Sequence, residues 1–542
     1  MSAIAIGRGG VGMLTPGRLS LCFIALLVGG AFAGLFIIAT RDWSAALSAF
    51  SPQTARIAGF TLWQAALSAL LSVVPAIAVA RALSRHPNFF GRGLMLRLFA
   101  VPLGLPAIVA ALGILALYGN AGLIARVMDA VGVGRVPPVY GLTGILLAHV
   151  FFNLPLATRL LLEALEAVPP DQWRLAAQLG MRPGASFRLI EWPAMRQAVP
   201  GIAALVFMLC VTSFTLVLIL GGGPRATTLE VAIYQSLAFD FEPARAAALT
   251  FVQIAITIAV LWVMAKAGAN AAGDADLPVS GRRYAETGRG ERIVNVLVLV
   301  LAALFVAGPM AAVVISGLSA DLARLAGESA VHRATLTSLV LAALAAVLSI
   351  GISMSLVSMR QKLEAARRGG PMSFAELAAD RGAALVLIVP PIVIGAGWFV
   401  LMLVIGFDAY AIAPIMVVAV NAVMAMPFAV RVLRPAWDAA AARNDKLCAQ
   451  LGISGFDRLR LIDWPVMRRP AAIALAFAMA LSLGDLGVIA LFGSDAVQTL
   501  PYLLYSRMGA YRTADAAGLA LLLAILCFAL MTIADRLGRH SQ

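Results

Sequence analysis

The sequence predicts an all-α, polytopic membrane protein of about 12 transmembrane helices, built as two parallel six-helix repeats. Three observations carry this. Of 542 residues, 61% are hydrophobic and only 13% charged, and the mean hydropathy is +0.93; a soluble domain is about half apolar and about a quarter charged. Apolar runs long enough to cross a ~30 Å hydrocarbon core recur along the whole chain. Two polar stretches between such runs are near copies: AAQLGMRPGASFRLIEWP at 176–193 and CAQLGISGFDRLRLIDWP at 448–465. Gly180 pairs with Gly452, Ile190 with Ile462, Trp192 with Trp464 and Pro193 with Pro465, each 272 residues apart, about half the chain length. A repeat at that period divides the protein into two equivalent halves.

Taken in order, spans are expected near 19–39, 57–80, 94–118, 140–162, 199–221 and 244–266, and then near 293–316, 335–357, 382–405, 411–433, 470–493 and 516–534. The first follows Arg8 and Arg18 and carries Ala31-Phe32-Ala33, a small-residue pattern that mimics a cleavage site. Its apolar run continues through Leu35 to Ala39, which reads as an uncleaved anchor. With the N-terminus inside, 31 of the 41 Lys and Arg fall in cytosolic segments and ten in external ones. This bias places both termini and both repeated loops in the cytoplasm. Six spans per half is an even number, so the halves insert in the same direction. The boundaries are 1–266 for the first repeat, 267–291 for a cytosolic linker of small, polar and Gly-rich composition, and 292–542 for the second. The extended TTLEVAIY at 227–234 resembles QTLPYLLY at 498–505, one residue out of phase with the main offset.

The net charge of +14 is spread over many short loops rather than gathered in one patch. It anchors spans at the cytosolic face, and no nucleic-acid partner is implied. Cys22, Cys210, Cys448 and Cys527 have neither metal-ligand spacing nor a disulfide pattern.

Each repeated loop reads as a helix ended by glycine. Gly180 and Gly452 close the AAQLG and CAQLG turns in the left-handed conformation that glycine adopts at least cost. A second short helical run follows, and Pro193 and Pro465 break the chain before the next span. Such an amphipathic segment suits the groove of a partner protein; a resting place on the lipid surface is the competing reading.

Here a resemblance becomes specific. A small-residue pair, a Gly, nine residues and Ile-x-x-Pro resemble the cytosolic signature of permease subunits of binding-protein-dependent ABC importers. The resemblance implies a type I importer permease fold, and it implies that Arg174, Ala176, Ala177, Gly180, Ile190 and Pro193, with Lys446, Ala449, Gly452, Ile462 and Pro465, dock on two copies of an ATP-binding cassette ATPase subunit. The family pattern begins Glu-Ala-Ala, whereas this chain has Arg174-Leu175-Ala176 and Lys446-Leu447-Cys448, with Trp for Leu before the final Pro. The missing Glu removes the family's usual ion pair, so the basic residue selects an ATPase with a different rim. YGLTGILLAHVFFNLPLATRLLLEAL (140–165), LAAQLGMR (175–182), LGGGPRATTLEVAIYQSL (220–237), SLGDLGVIALFG (482–493) and YRTADAA (511–517) are similar to the thiamine ABC importer permeases; fused permeases for ferric iron share the two-copy layout. The resemblance implies an inner-membrane protein that carries thiamine or its phosphate esters and is fed by a periplasmic binding protein at loops 221–243 and 494–515.

The chain has no ATPase chemistry of its own. Its three lysines follow Ala265, Gln361 and Asp445, so the Gly-Lys of a phosphate-cradling loop is absent. LGGGP at 220–224 lies at the end of a span and reads as a bend. No nucleophile–base pair, cofactor motif or metal constellation appears, which argues against an enzyme. No intramembrane carboxylate ladder supports an ion-coupled secondary transporter. The energy must come from a partner.

For the small-molecule substrate path the candidates are Asp485, in LSLGDLGVIALF, and the positions matching its neighbourhood, Thr212 and Ser213. A carboxylate at membrane depth faces a cavity or a partner; the alternative is that Asp485 caps a broken helix beside Gly484 and Gly487. Trp398, Tyr118 and Tyr410 offer faces to a cationic ring or belong to the interfacial aromatic belt. His149 and Asn153 read as hydrogen-bond partners between helices.

Overall fold

The computed structural model describes residues 16–41, 43–44, 51–132, 138–266, 288–367, 370–385, 389–453, 455–494 and 497–539. Linker residues 267–287 and the N-terminal segment before residue 16 lie outside the described residues. The described chain contains eleven helices long and apolar enough to span a bilayer and a shorter apolar one, Pro391–Ile405. Each of the twelve expected spans has its helix.

Four spans differ from their expected form, and prolines and small residues explain why. The third divides at Leu105-Pro106 into helices Arg92–Gly104 and Ala107–Tyr118, because a residue before proline is pushed to extended backbone. The ninth likewise opens at Pro390, as Pro391–Ile405. The fifth and eleventh, expected as continuous runs, are broken. Helix Trp192–Val211 ends at Thr212, and a short helix Thr215–Leu220 follows; helix Trp464–Leu483 stops at Gly484, and Gly487–Phe492 follows. The second break falls at the first plus 272 residues. Broken helices at membrane depth are tolerated where protein or a polar path satisfies the freed backbone groups.

The chain forms two compact units, one of Met1–Gly34, Leu339–Ser482 and Ala529–Gln542, the other of Leu35–Ser338 and Leu483–Phe528. In each unit a helix that opens one sequence half packs on the third span of the other half. In the smaller unit, helix Pro16–Arg41 lies against Pro391–Ile405. A Cβ on Gly397 would stand 2.4 Å from the Ala31 carbonyl oxygen, and the Trp398 indole N–H donates to the Leu27 carbonyl at 2.7 Å. The small residue lets the backbones touch, the usual device of helix pairs in lipid. In the larger unit, Arg289–Leu318 packs along Ala107–Tyr118.

Within the larger unit, helix Pro52–Arg85 packs along Leu142–Glu166 and Trp192–Val211. Its buried polar residues make the contacts specific. Ser68 Oγ and His149 Nδ1 are 2.9 Å apart, Gln64 Nε2 donates to the Cys210 carbonyl at 2.9 Å, and Asn153 Nδ2 donates to Cys210 Sγ at 3.4 Å. His149 and Asn153 therefore do join helices. In the smaller unit Asn421 donates to Ser482 Oγ at 2.9 Å; Ser482 matches Cys210 in the repeat, so the fourth and fifth spans of each half share a polar tie.

Candidate functional site

The two repeated loops fold alike. Helix Pro170–Gln178 ends at Gly180 with φ +58°, and the Met181 and Gly180 amides return to the Ala176 and Ala177 carbonyls at 3.0 and 3.1 Å. Helix Ala413–Leu451 ends at Gly452 with φ +66°, and the Ile453 amide returns to the Cys448 carbonyl at 3.0 Å. These are helix ends sealed by a left-handed glycine, as expected from the sequence. After each comes one helical turn, Pro183–Ser186 or Gly455–Arg458, and then a π-helical turn, Phe187–Glu191 or Leu459–Asp463. Both π turns pass into the next span, Trp192–Val211 or Trp464–Leu483.

Pro193 and Pro465 do not break the chain. They lie at the second position after the π turns, inside a continuous helical run, where the wider turn accommodates a residue without an N–H. In the first copy the Trp192 amide bonds the Phe187 carbonyl across the wide turn, which keeps the backbone helical through the passage.

The side chains that this geometry displays lie beside the expected residues rather than at them. Ala176 and Cys448 are buried, as are Met195 and Met467 on the spans that follow. On the opposite side Leu175, Leu179, Leu189 and Trp192 are exposed, and so are Leu447, Leu451, Leu461 and Trp464, their partners at the 272-residue offset. Exposure agrees closely between copies: 68% and 63% for Leu179 and Leu451, and 64% for both Leu189 and Leu461. Leu175 and Leu179, four residues apart, share one helix face. Isolated exposed leucines are ordinary, but a set reproduced in both copies marks a surface. The repeat offset was the signal that could have found them. Arg174 and Lys446 flank these faces and are exposed, as are Gly180, Gly452 and Pro465. Ala177, Ile190, Pro193 and Ile462 are half-buried. Ala449 holds its place on the helix; its side chain lies outside the described set.

The first copy is anchored by charge. Glu191 is fully buried and receives Arg81 Nε at 2.8 Å and Arg85 Nε at 2.9 Å, both from helix Pro52–Arg85. The same arginines reach Glu291, at the start of helix Arg289–Leu318, and the Pro183 carbonyl. Arg81 also stacks over the Phe187 ring at 5.0 Å. The second copy is held more locally: Arg458 bridges Asp463 at 3.4 Å and Asp445, and Gln361 donates to Asp445 at 2.8 Å.

Thr212, Ser213, Asp485 and Tyr118 belong to the larger unit, Trp398 and Tyr410 to the smaller. Thr212 and Ser213 lie in the first break, half-buried, and the Thr212 hydroxyl is spent on the Met208 carbonyl at 3.0 Å. Asp485 lies in the second break. Its carboxylate receives the Gly487 and Val488 amides at 3.2 and 3.4 Å, so it caps the short helix while staying partly exposed. Trp398 is held between helices by its bond to Leu27. Tyr118 ends a helix, and Tyr410 stacks edge-on with Phe399 at 6.0 Å. Among the described residues no group of His, Cys, Asp and Glu could hold a metal ion.

Residues 74–267 match the family of binding-protein-dependent transport system inner membrane components. Over its length the chain is 57% identical to the thiamine transport system permease protein of Brucella abortus, covering 96% of this chain and 94% of that one. It is 42% identical to the protein of the same description from Escherichia coli, covering 98% and 97%. A molybdenum transport system permease protein of Mycobacterium bovis is 30% identical over 43% of this chain.

Proposed function

This chain belongs to the family of thiamine transport system permease proteins, inner-membrane components that work with an ATPase and a binding protein, and we propose that it moves thiamine or its phosphate esters into the cell. The observation that carries the coupling part of this reading is the apolar set shown identically by both loops. A leucine face beside a basic residue fits a groove on a soluble partner better than it fits lipid, because both copies end in a fixed glycine cap and a π turn that orient the face. Two copies of the loop call for two copies of the ATPase. Arg174, Ala176, Ala177, Gly180, Ile190 and Pro193 serve one, and Lys446, Ala449, Gly452, Ile462 and Pro465 the other. Leu175, Leu179, Leu189 and Trp192, with their repeat partners, supply the buried contacts.

In this reading both termini and both loops face the cytoplasm, residues 1–266 and 292–542 are the two repeats, and 267–291 joins them. The binding protein delivers at 221–243 and 494–515. Closure of the ATPases pulls on the coupling loops, and the π turns carry that displacement without a hinge into the two spans that break at Thr212–Ser213 and Gly484–Asp485. Those breaks line the path, and Asp485 offers a carboxylate to a substrate whose thiazolium ring is a cation.

The test is uptake in vesicles that contain the chain with its ATPase and binding protein. ATP-dependent accumulation of labelled thiamine is expected, and thiamine phosphate in competition ranks the esters. Vesicles that hydrolyse ATP on adding loaded binding protein yet accumulate no thiamine would overturn the substrate.

A further inference from the structure

Among the described residues only two that are not glycine have a positive φ, Phe241 at +54° and Tyr511 at +58°. They occupy the same place in the two halves. Each follows one of the short helices Leu229–Ala238 and Leu500–Gly509, and stands two residues before the last span of its half, Pro243–Lys266 or Thr513–Arg539. The next amide ties the turn back in both: Glu242 donates to the Ser236 carbonyl at 2.8 Å, and Arg512 to the Arg507 carbonyl at 2.9 Å. Both turns belong to the larger unit.

An aromatic residue suits left-handed backbone poorly, because its Cβ crowds the following carbonyl. Packing does not explain the choice, since Phe241 is 80% exposed and Tyr511 92%. The strained turn instead holds a large ring out from the chain, and does so once in each half. Exposed aromatic rings on fixed backbone are the kind of residue that anchors a protein interface.

The charges beside the rings say what surface would cover them. Phe241 lies between Asp240 and Glu242, both exposed, and Arg245 bridges the two at 3.6 and 3.3 Å. Two carboxylates against one guanidinium leave this turn acidic. Tyr511 lies beside Arg512 in a network of three arginines and two carboxylates. Arg507 reaches Glu328 at 2.7 Å and Asp515 at 3.4 Å, Arg512 reaches Glu328 at 3.7 Å and also Asp515, and Arg324 joins both carboxylates. This turn is basic, and the exposed guanidinium groups of Arg324 and Arg512 have donors to spare for a further carboxylate. An anionic lipid surface is repelled by the first turn. A folded partner with one basic and one acidic patch complements both.

We propose that Phe241 and Tyr511 are the two anchors on which the external binding protein docks, and that the acidic first turn and the basic second turn fix its orientation. The proposal rests on the reading above that places 221–243 and 494–515 outside. The charges steer the approach and set which patch of the partner meets which half. The rings, already held out by the backbone, are covered on contact with little further ordering.

The test titrates loaded binding protein onto the chain and its ATPase in nanodiscs. Phe241→Gly and Tyr511→Gly each remove a ring and leave the turn to the residue that adopts it most readily. Each should weaken docking roughly tenfold while the melting temperature holds; a lowered melting temperature would mean that the rings serve the fold, and would overturn the anchors. Asp240→Asn and Arg512→Gln should each slow association roughly two- to fivefold at low salt and match the parent at high salt. Parental docking in the double glycine variant would likewise overturn the anchors and leave the rings to the lipid surface. Association at the parental rate in both charge variants would overturn the fixed orientation. With the native cysteines replaced, an impermeant maleimide on right-side-out vesicles separates these failures from that of the topology. Tyr511→Cys labelled from outside, with docking unmoved by the glycine variants, sinks the anchors alone. Labelling only after permeabilisation sinks the topology and the anchors with it.

Discussion

Glu191 and Arg85 meet at 2.9 Å, both almost fully buried, where the first repeated loop passes into its membrane span. Arg81 completes the bridge at 2.8 Å, and Glu291 neutralises the second positive charge. In the second loop the matching Asp463 is bridged, among the described residues, by Arg458 at 3.4 Å, and this pair is more exposed. The two loops expose the same side chains but are fastened differently.

Removing one member of a buried ion pair strands its partner's charge, whereas exposed pairs contribute little. Glu191→Ala should lower stability by about 3–5 kcal/mol, and Asp463→Ala by about 1 kcal/mol or less. Thermal unfolding of the two variants in detergent compares them; equal losses would mean that the Arg81–Arg85 cluster does not hold the first loop.

The exposed leucines predict a separation of binding from folding. Leu179→Asp and Leu451→Asp change side chains that are mostly exposed, so melting should hold. Apolar anchors of this kind contribute about 1–2 kcal/mol each at an interface, so each substitution should weaken capture of the ATPase roughly tenfold. Capture equal to the parent's in the double variant would remove these faces from the docking surface.

Gly180 and Gly452 give a related outcome by another route. Nothing lies within 4 Å of where a Cβ would be at either position, so the cost of Gly→Ala is the left-handed backbone alone, about 1–2 kcal/mol. A bulky side chain such as Gly452→Trp adds an obstruction on the displayed face. Insertion should persist while ATP-driven uptake falls; uptake at the parental rate would count against the coupling role.

Much of this architecture is legible in the sequence. The 272-residue offset foretells two loops with the same caps, and Gly180 and Gly452 adopt the left-handed turn their position requires. The breaks at Thr212–Ser213 and Gly484–Asp485 are hidden because apolar residues resume at once, from Phe214 to Leu220 and from Leu486 to Phe492, so hydropathy reads straight through them. The Glu191 partners lie over a hundred residues upstream, where no local pattern points. Nor does composition say that Pro16–Arg41 packs on Pro391–Ile405. In lipid every apolar face is equally acceptable, and close fits such as that at Gly397 choose the neighbour.

That fit gives a prediction for the smaller unit. Gly397→Ala places a methyl 2.4 Å from the Ala31 carbonyl oxygen, and the backbone on both sides must move. The expected loss is about 1–3 kcal/mol. Trp398→Phe, which only removes the bond to Leu27, should cost about 1 kcal/mol. Unfolding midpoints of the pair order the two; a larger loss for Trp398→Phe would show that the indole, not the close approach, sets the packing.

His86, just beyond helix Pro52–Arg85, bonds Asn295 at 3.2 Å. Burial and then Arg292 hold its imidazole below the ordinary 6.5, against an opposing pull from Glu291 and with Arg85 adding to the depression. A lowered value means the folded chain resists protonation that the unfolded chain accepts, so the contribution of His86 is complete above pH 6.5 and is lost as pH falls below it. Melting temperature should therefore drop between pH 7 and pH 5 more steeply in the parent than in His86→Gln, which cannot take the proton. Parallel curves would show that the acid sensitivity of the fold arises at another group.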